Sequence, residues 1–125
     1  MLSDILLYLG STIIVIWGTA HIAATRPVIT GFGDISLDNR RIITMEWIAE
    51  GLTFIFIGML VASVTFWGWS ENHIAILVYH LSAGLLVVMA VLSQMTGART
   101  SVLPMQLCPY VKTVVAILFF LGTVL

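Results

Sequence analysis

RRIITMEWIAEGLTFIFIGMLVASVTFWGW, residues 40–69, opens with two arginines and places Glu46 and Glu50 one helical turn apart. Beyond Glu50 it carries no charge and closes on Trp67 and Trp69. Trp47 and Trp67 stand twenty positions apart. At the helical rise this spacing covers about 30 Å, the thickness of a bilayer's hydrocarbon core. The stretch therefore predicts a transmembrane helix with an acidic pair at one end.

The rest of the chain agrees. Of its 125 residues, 60% are hydrophobic and 9% are charged, against about 25% charged in a soluble domain. Mean hydropathy is +1.11. Polar groups are too few to cover the surface, so lipid is the expected solvent and the bilayer the expected partner. A net charge of -1 gives no reason to expect nucleic acid. The single cysteine, Cys108, excludes an intrachain disulfide. Asp4 stands where a cleavable signal would be basic, and no small-residue cleavage site follows, so the first segment is expected to stay. The closing Thr-Val-Leu carries no lipidation signal.

Hydropathy divides the chain into four spans, about 4–25, 40–68, 73–95 and 103–125, forming a single domain. Short links between them imply an all-α, up-down-up-down antiparallel bundle. Pro27 is expected to stop the first helix. Gly31 and Gly33 allow tight turns in the linker 26–39, and Ser36 or Asp38 can cap the second helix. Arg26, Arg40, Arg41 and Arg99 all fall in the first and third links, and Lys112 lies nearest that side. The positive-inside rule places links 26–39 and 96–102 in the cytoplasm and both termini outside, in a membrane expected to be the plasma membrane. Gly51, Gly58 and Ala62 form a small-residue stripe, the expected interface of a homodimer. Tyr8, Trp47, Trp67, Trp69 and Tyr110 suit an interfacial belt. Trp17 is too deep for the belt and suits packing or a pocket.

Depth then sorts the polar side chains. His21, Glu46, Glu50, Lys112 and the pair Ser93–Gln94 fall in the cytoplasmic half, on four helices. Ionisable groups in a membrane are costly unless paired or hydrated. Glu50 and Lys112 are deepest and opposite in sign, and are expected to be partners, whether as a working site or as a structural tie. Glu46 also suits the headgroup region, Lys112 also suits snorkelling, and His21 also suits plain packing. In the outer half, His80 follows His73 by two turns, about 10 Å, too far for one shared metal ion. Carboxylate–histidine metal bundles use a Glu-x-x-His spacing that is missing here, and His21 and His80 differ in depth, which disfavours a haem between them. No cofactor is therefore assigned. Cys108 suits a small buried hydrophobe. The loop TGFGDIS suits an ordinary connector better than a gating loop, and Asp34 would repel a phosphate.

In size and four-helix plan the chain resembles small multidrug exporters, fluoride channels and DoxX-like proteins. The likeness is one of architecture. Small multidrug exporters place a lone glutamate in the first helix, whereas both glutamates here are in the second. The glycine-rich and asparagine signatures of fluoride channels are missing too. Three functional expectations follow. The leading one is a titratable site at Glu50, Lys112, His21 and Glu46 serving proton-linked transport or small-ligand binding, in a homo-oligomer. The second is an accessory subunit of a larger membrane complex, its register fixed by Glu50 and Lys112. The third is a membrane oxidoreductase or hydrolase acting on a lipid or quinone through histidines and carboxylates, His80 among them.

Overall fold

A computed structural model describes residues 1–68 and 72–125. Four helices are long and apolar enough to cross a membrane: α1 (Leu2–Ala23), α3 (Leu37–Phe66), α4 (His73–Met95) and α5 (Leu103–Val124). A short α2 (Thr25–Gly31) follows α1, a 3-10 turn occupies Gly97–Arg99, and the described residues contain no strand. Trp69 of the expected belt, and Ser70 and Glu71 between the second and third expected spans, lie outside the described residues.

The ends of the helices follow from local chemistry. Pro27 has no N–H to offer the carbonyl of Ala23, and α1 stops there. The chain nevertheless stays helical. Ala24 turns it, and α2 carries Pro27 in its first turn, where a missing N–H costs nothing. The linker expected over 26–39 is thus helical as far as Gly31. Gly33 makes the turn that follows, with φ at 71°, while Gly31 needs no special conformation. The backbone N–H of Asn39 then donates to the Ser36 hydroxyl at 3.2 Å. That cap starts α3 at Leu37 rather than at Arg40. At the head of α4, the N–H of Ile74 donates to the Asn72 side chain at 2.8 Å.

Packing runs in the order α3, α1, α5, α4; α3 and α4 touch only lightly. The contacts also give the directions. Gly18 of α1 meets Gly51 of α3, whereas Ser11 meets Gly58. The Ser3 hydroxyl donates to the carbonyl of Gly122 on α5, whereas Gly10 meets Phe119. Lys112 reaches Ser93, while His80 reaches Thr123. In each pair one number rises as the other falls, so these neighbours run antiparallel.

Glycine permits the closest of these contacts. A Cβ on Gly58 would lie 2.7 Å from the backbone oxygen of Ser11, and one on Gly18 would lie 2.7 Å from that of Gly51. Backbone cannot move aside as a side-chain tip can. The expectation that Gly51 and Gly58 form a homodimer interface is therefore corrected: α1 of the same chain already occupies the stripe. Sequence spacing reveals a face made for close approach, but not whose backbone approaches it.

Leu7, Ile14, Phe54, Val61, Tyr79, Leu86, Val115 and Phe119 fill the interior. The outside is apolar as well, with Ile16, Phe56, Met59, Leu81, Val88 and Ile117 all exposed around the girth. A soluble protein rarely shows so continuous an apolar surface. Four such helices with an apolar exterior make this a membrane-spanning protein.

Candidate functional site: a lysine–glutamate–histidine cluster between the helices

Lys112, on α5, is 1% exposed at its side chain. Its ammonium donates to Glu50 Oε1 on α3 at 2.9 Å and to the Ser93 hydroxyl on α4 at 2.6 Å. Ser93 in turn donates to the carbonyl of Met89 at 2.8 Å, which orients its oxygen to accept. The third side of the ammonium lies over the ring of Phe54, 4.9 Å from its centroid, within cation–π range. The buried cation thus has a counter-charge, a hydroxyl and an aromatic face.

His21 completes the cluster from α1. Its ring stacks on Trp47 with centroids 3.8 Å apart and planes 12° apart, and Phe54 meets it edge-on. The Trp47 indole N–H donates at 2.8 Å to the backbone carbonyl of His21 itself. That carbonyl is one of those left open at the end of α1, so Trp47 holds both the ring and the helix end. The imidazole Nε2 lies 3.7 Å from Glu50 Oε2, beyond hydrogen-bond range, and has no other partner among the described residues although the side chain is only 4% exposed.

Glu50 differs from its neighbours in being one-third exposed, at 33%. It lies between two openings. One is a pocket of about 190 Å³ bounded by His21, Lys112, Ser93 and Cys108, which reaches the turn at Thr96 and Gly97. The other is a shallower groove of about 470 Å³ between α3 and α4, bounded by Ile43, Glu46, Trp47, Ala49 and Thr53. Glu50 and Met89 border both. One carboxylate oxygen is held by Lys112 and the other is free to accept a proton or a donor group.

Of the residues singled out in the sequence, the fold brings His21, Glu50, Ser93 and Lys112 together from four helices. Glu46 is not in the cluster. It is exposed, one turn nearer the end of α3, makes no ion pair among the described residues, and lines only the groove. Gln94 is exposed as well. His80 lies elsewhere. Its Nε2 meets the Thr123 hydroxyl at 2.9 Å, and Thr123 is eleven positions from Lys112 along α5, about 16 Å away. Because Thr123 donates to the carbonyl of Phe120, His80 is the donor to it. Cys108 is buried and borders the pocket. Trp17 packs against the core. Trp47, expected in the interfacial belt, stacks its ring on His21 and also borders the groove.

The chain matches no family model, no curated protein and no solved structure. Its function has to be argued from this cluster.

Proposed function

We propose that this is a membrane protein in which proton binding at Glu50 is coupled to occupation of the pocket beside it by a small ligand, for transport or for reversible binding. The single observation that carries the reading is the unequal burial of the ion pair. Lys112 is sealed in, while the carboxylate that neutralises it borders two openings and keeps one oxygen free. An exposed carboxylate stays in reach of water, so it can take up a proton or part from Lys112 at less cost than a sealed one. An exposed partner suits a group that must exchange a proton or ligand.

The groups facing Glu50 define its titration: His21 from α1, Lys112 and Cys108 from α5, and Glu46 on its own helix. The α4 residues facing it, such as Ser93 and Met89, do not titrate. Protonating Glu50 removes the charge that balances Lys112, so its proton and the pocket's occupancy are linked. His21, with an open Nε2 beside Glu50 Oε2, is the proton's path towards the end of the bundle that carries Arg26, Arg40, Arg41 and Arg99. The positive-inside rule assigns that end to the cytoplasm.

A hydrophobic carbodiimide tests the titration, because it reacts with protonated carboxyl groups in apolar surroundings. In lipid nanodiscs, labelling of Glu50 followed by mass spectrometry is expected to rise as pH falls, and Glu50→Gln is expected to abolish it. In liposomes, Glu50→Gln is expected to remove proton flux. Labelling that ignores pH, or an unchanged flux and pH profile in Glu50→Gln, would refute the reading.

A second reading has its own support. Because α3 and α4 touch only lightly, the Glu50–Lys112–Ser93 contacts tie α3 to α4 and α5, which is what an accessory subunit needs to hold register. On that reading the exchange Glu50→Lys with Lys112→Glu restores folding lost in either single variant, and the protein purifies with larger partners.

A further inference from the structure

We infer that the ligand is a lipophilic amine in its protonated form, which enters sideways from the bilayer between α3 and α4 and sets its ammonium between Glu50 and His21. This names the ligand class for the site proposed above and rests on that reading.

Three independent features lead to it. The first is the route. The groove between α3 and α4 is bounded by Ile42, Ile43, Trp47, Ala49 and Met89 together with Glu46, Glu50 and Thr53, so an apolar wall carries two carboxylates, and it opens on the face of the bundle. The two helices that flank it are in only light contact. Glu50 and Met89 border both it and the inner pocket, and methionine is an unbranched, adaptable side chain that can swing aside. The groove runs from Ile42 to Thr53 along α3, about 16 Å, so it meets the membrane near the headgroup boundary, where amphipathic amines concentrate.

The second is charge. Lys112, Glu50 and Glu46 are the charged side chains bounding the two openings, and no arginine lines either. With His21 neutral, Glu50 and Lys112 cancel at the inner pocket and Glu46 leaves the groove with one negative charge, so the route favours a cation over an anion. Lys112 is already saturated by Glu50, Ser93 and Phe54 and has nothing to offer an anionic ligand.

The third is an unused hydrogen-bonding atom. Among the described residues His21 Nε2 is buried without a partner, 3.7 Å from the free oxygen of Glu50. A nitrogen placed at hydrogen-bonding distance from both would donate one N–H to the carboxylate and another to the neutral imidazole. An alcohol in the same place would lack the charge. When the amine binds to protonated Glu50, the carboxylic O–H breaks and its proton leaves through the pocket towards Thr96 and Gly97, while the ammonium takes its place.

The test uses three naphthalenes of matched shape: 1-naphthylmethylamine, 1-naphthylmethanol and 1-naphthylacetate. Equilibrium dialysis is run against the protein in zwitterionic nanodiscs, with empty discs subtracted. The amine is expected to bind saturably, one per chain, at least about tenfold tighter than the alcohol, with the acetate weakest. Glu50→Gln risks misfolding by stranding Lys112, so the pair is neutralised together as Glu50→Gln/Lys112→Met, which is expected to lose the amine preference. Ala49→Trp fills the groove without touching the cluster and is expected to weaken or slow amine binding. Equal binding of the three probes, a preference for the acetate, or an amine preference that survives neutralisation of the pair overturns the inference. Carbodiimide labelling on the same discs separates the two claims. Labelling that responds to pH without amine binding overturns the ligand class alone. Amine binding without pH-dependent labelling overturns proton exchange and keeps the ligand class.

Discussion

Replacing Glu50 by glutamine leaves Lys112, 1% exposed, without a counter-charge, whereas replacing Lys112 by methionine leaves a carboxylate that is 33% exposed beside an open pocket. The two losses should therefore differ. Breaking a buried pair by removing one partner costs about 3–5 kcal/mol, because the remaining charge stays desolvated. Glu50→Gln is expected to approach that range. It is softened only by the Ser93 hydroxyl and the Phe54 ring, which the ammonium keeps. Lys112→Met is nearly isosteric, and the freed carboxylate can take water from the pocket, so about 1–2 kcal/mol is expected. The double variant removes both charges and should recover most of the loss, since buried pairs replaced together by uncharged groups are often close to neutral. Equilibrium unfolding in mixed micelles, followed by tryptophan fluorescence, reads all four corners of the cycle. Equal losses from the two single variants would refute the account of unequal burial. A double variant no more stable than Glu50→Gln would show that the pair is not coupled.

Gly58→Ala is expected to destabilise the protein by about 1–3 kcal/mol, as for overpacking elsewhere, because its Cβ would meet the Ser11 backbone oxygen at 2.7 Å and force α1 away from α3. The same unfolding assay reads it, and an unchanged midpoint would disprove the close approach. Trp47→Phe keeps an aromatic ring against His21 but loses the 2.8 Å bond to the His21 carbonyl. A loss of about 0.5–1.5 kcal/mol is expected, together with faster amide hydrogen exchange over the last turn of α1; protection equal to wild type would contradict the role given to the indole.

Hydropathy and charge made most of the fold legible, because a bilayer demands long uncharged helices and tolerates charge only at their ends. Four spans could be placed within a few residues. The errors are local. Residues 25–31 form a helix that Pro27 hid, since a proline that ends one helix can equally sit in the first turn of the next. The start of α3 moved three residues because Ser36, rather than a later residue, provides the cap. In the site, depth and sign sufficed to pair Glu50 with Lys112, and depth alone put His21 and Ser93 beside them. Rotation about the helix axis was not legible. Glu46 and Glu50 are four positions apart, nearly on one face, yet one turn of height leaves Glu46 at the surface. Trp47 could not be assigned to His21 because nothing local distinguishes an indole facing headgroups from one stacked on a buried imidazole.

The fold also carries a second tie between α3 and α4, at the opposite end from the cluster. The Thr65 hydroxyl donates to the carbonyl of Val61 at 2.8 Å, so the Tyr79 O–H donates to Thr65 across the seam at 3.1 Å, with both side chains buried. Glu50 and Thr65 are fifteen positions apart on α3, about 22 Å. The two helices are in only light contact overall, so these ties pin the seam at both ends. Tyr79→Phe is expected to cost about 1 kcal/mol. Combined with Glu50→Gln/Lys112→Met, it should add to within about 0.5 kcal/mol, as distant sites with no shared partner do. Additivity would mean that the end beside Glu50 can loosen while the Tyr79 end stays closed, which is the movement that sideways entry of a ligand requires. A coupling well above that margin would mean that the seam opens as one unit, and the lateral route would then demand separation of α3 from α4 along its whole length.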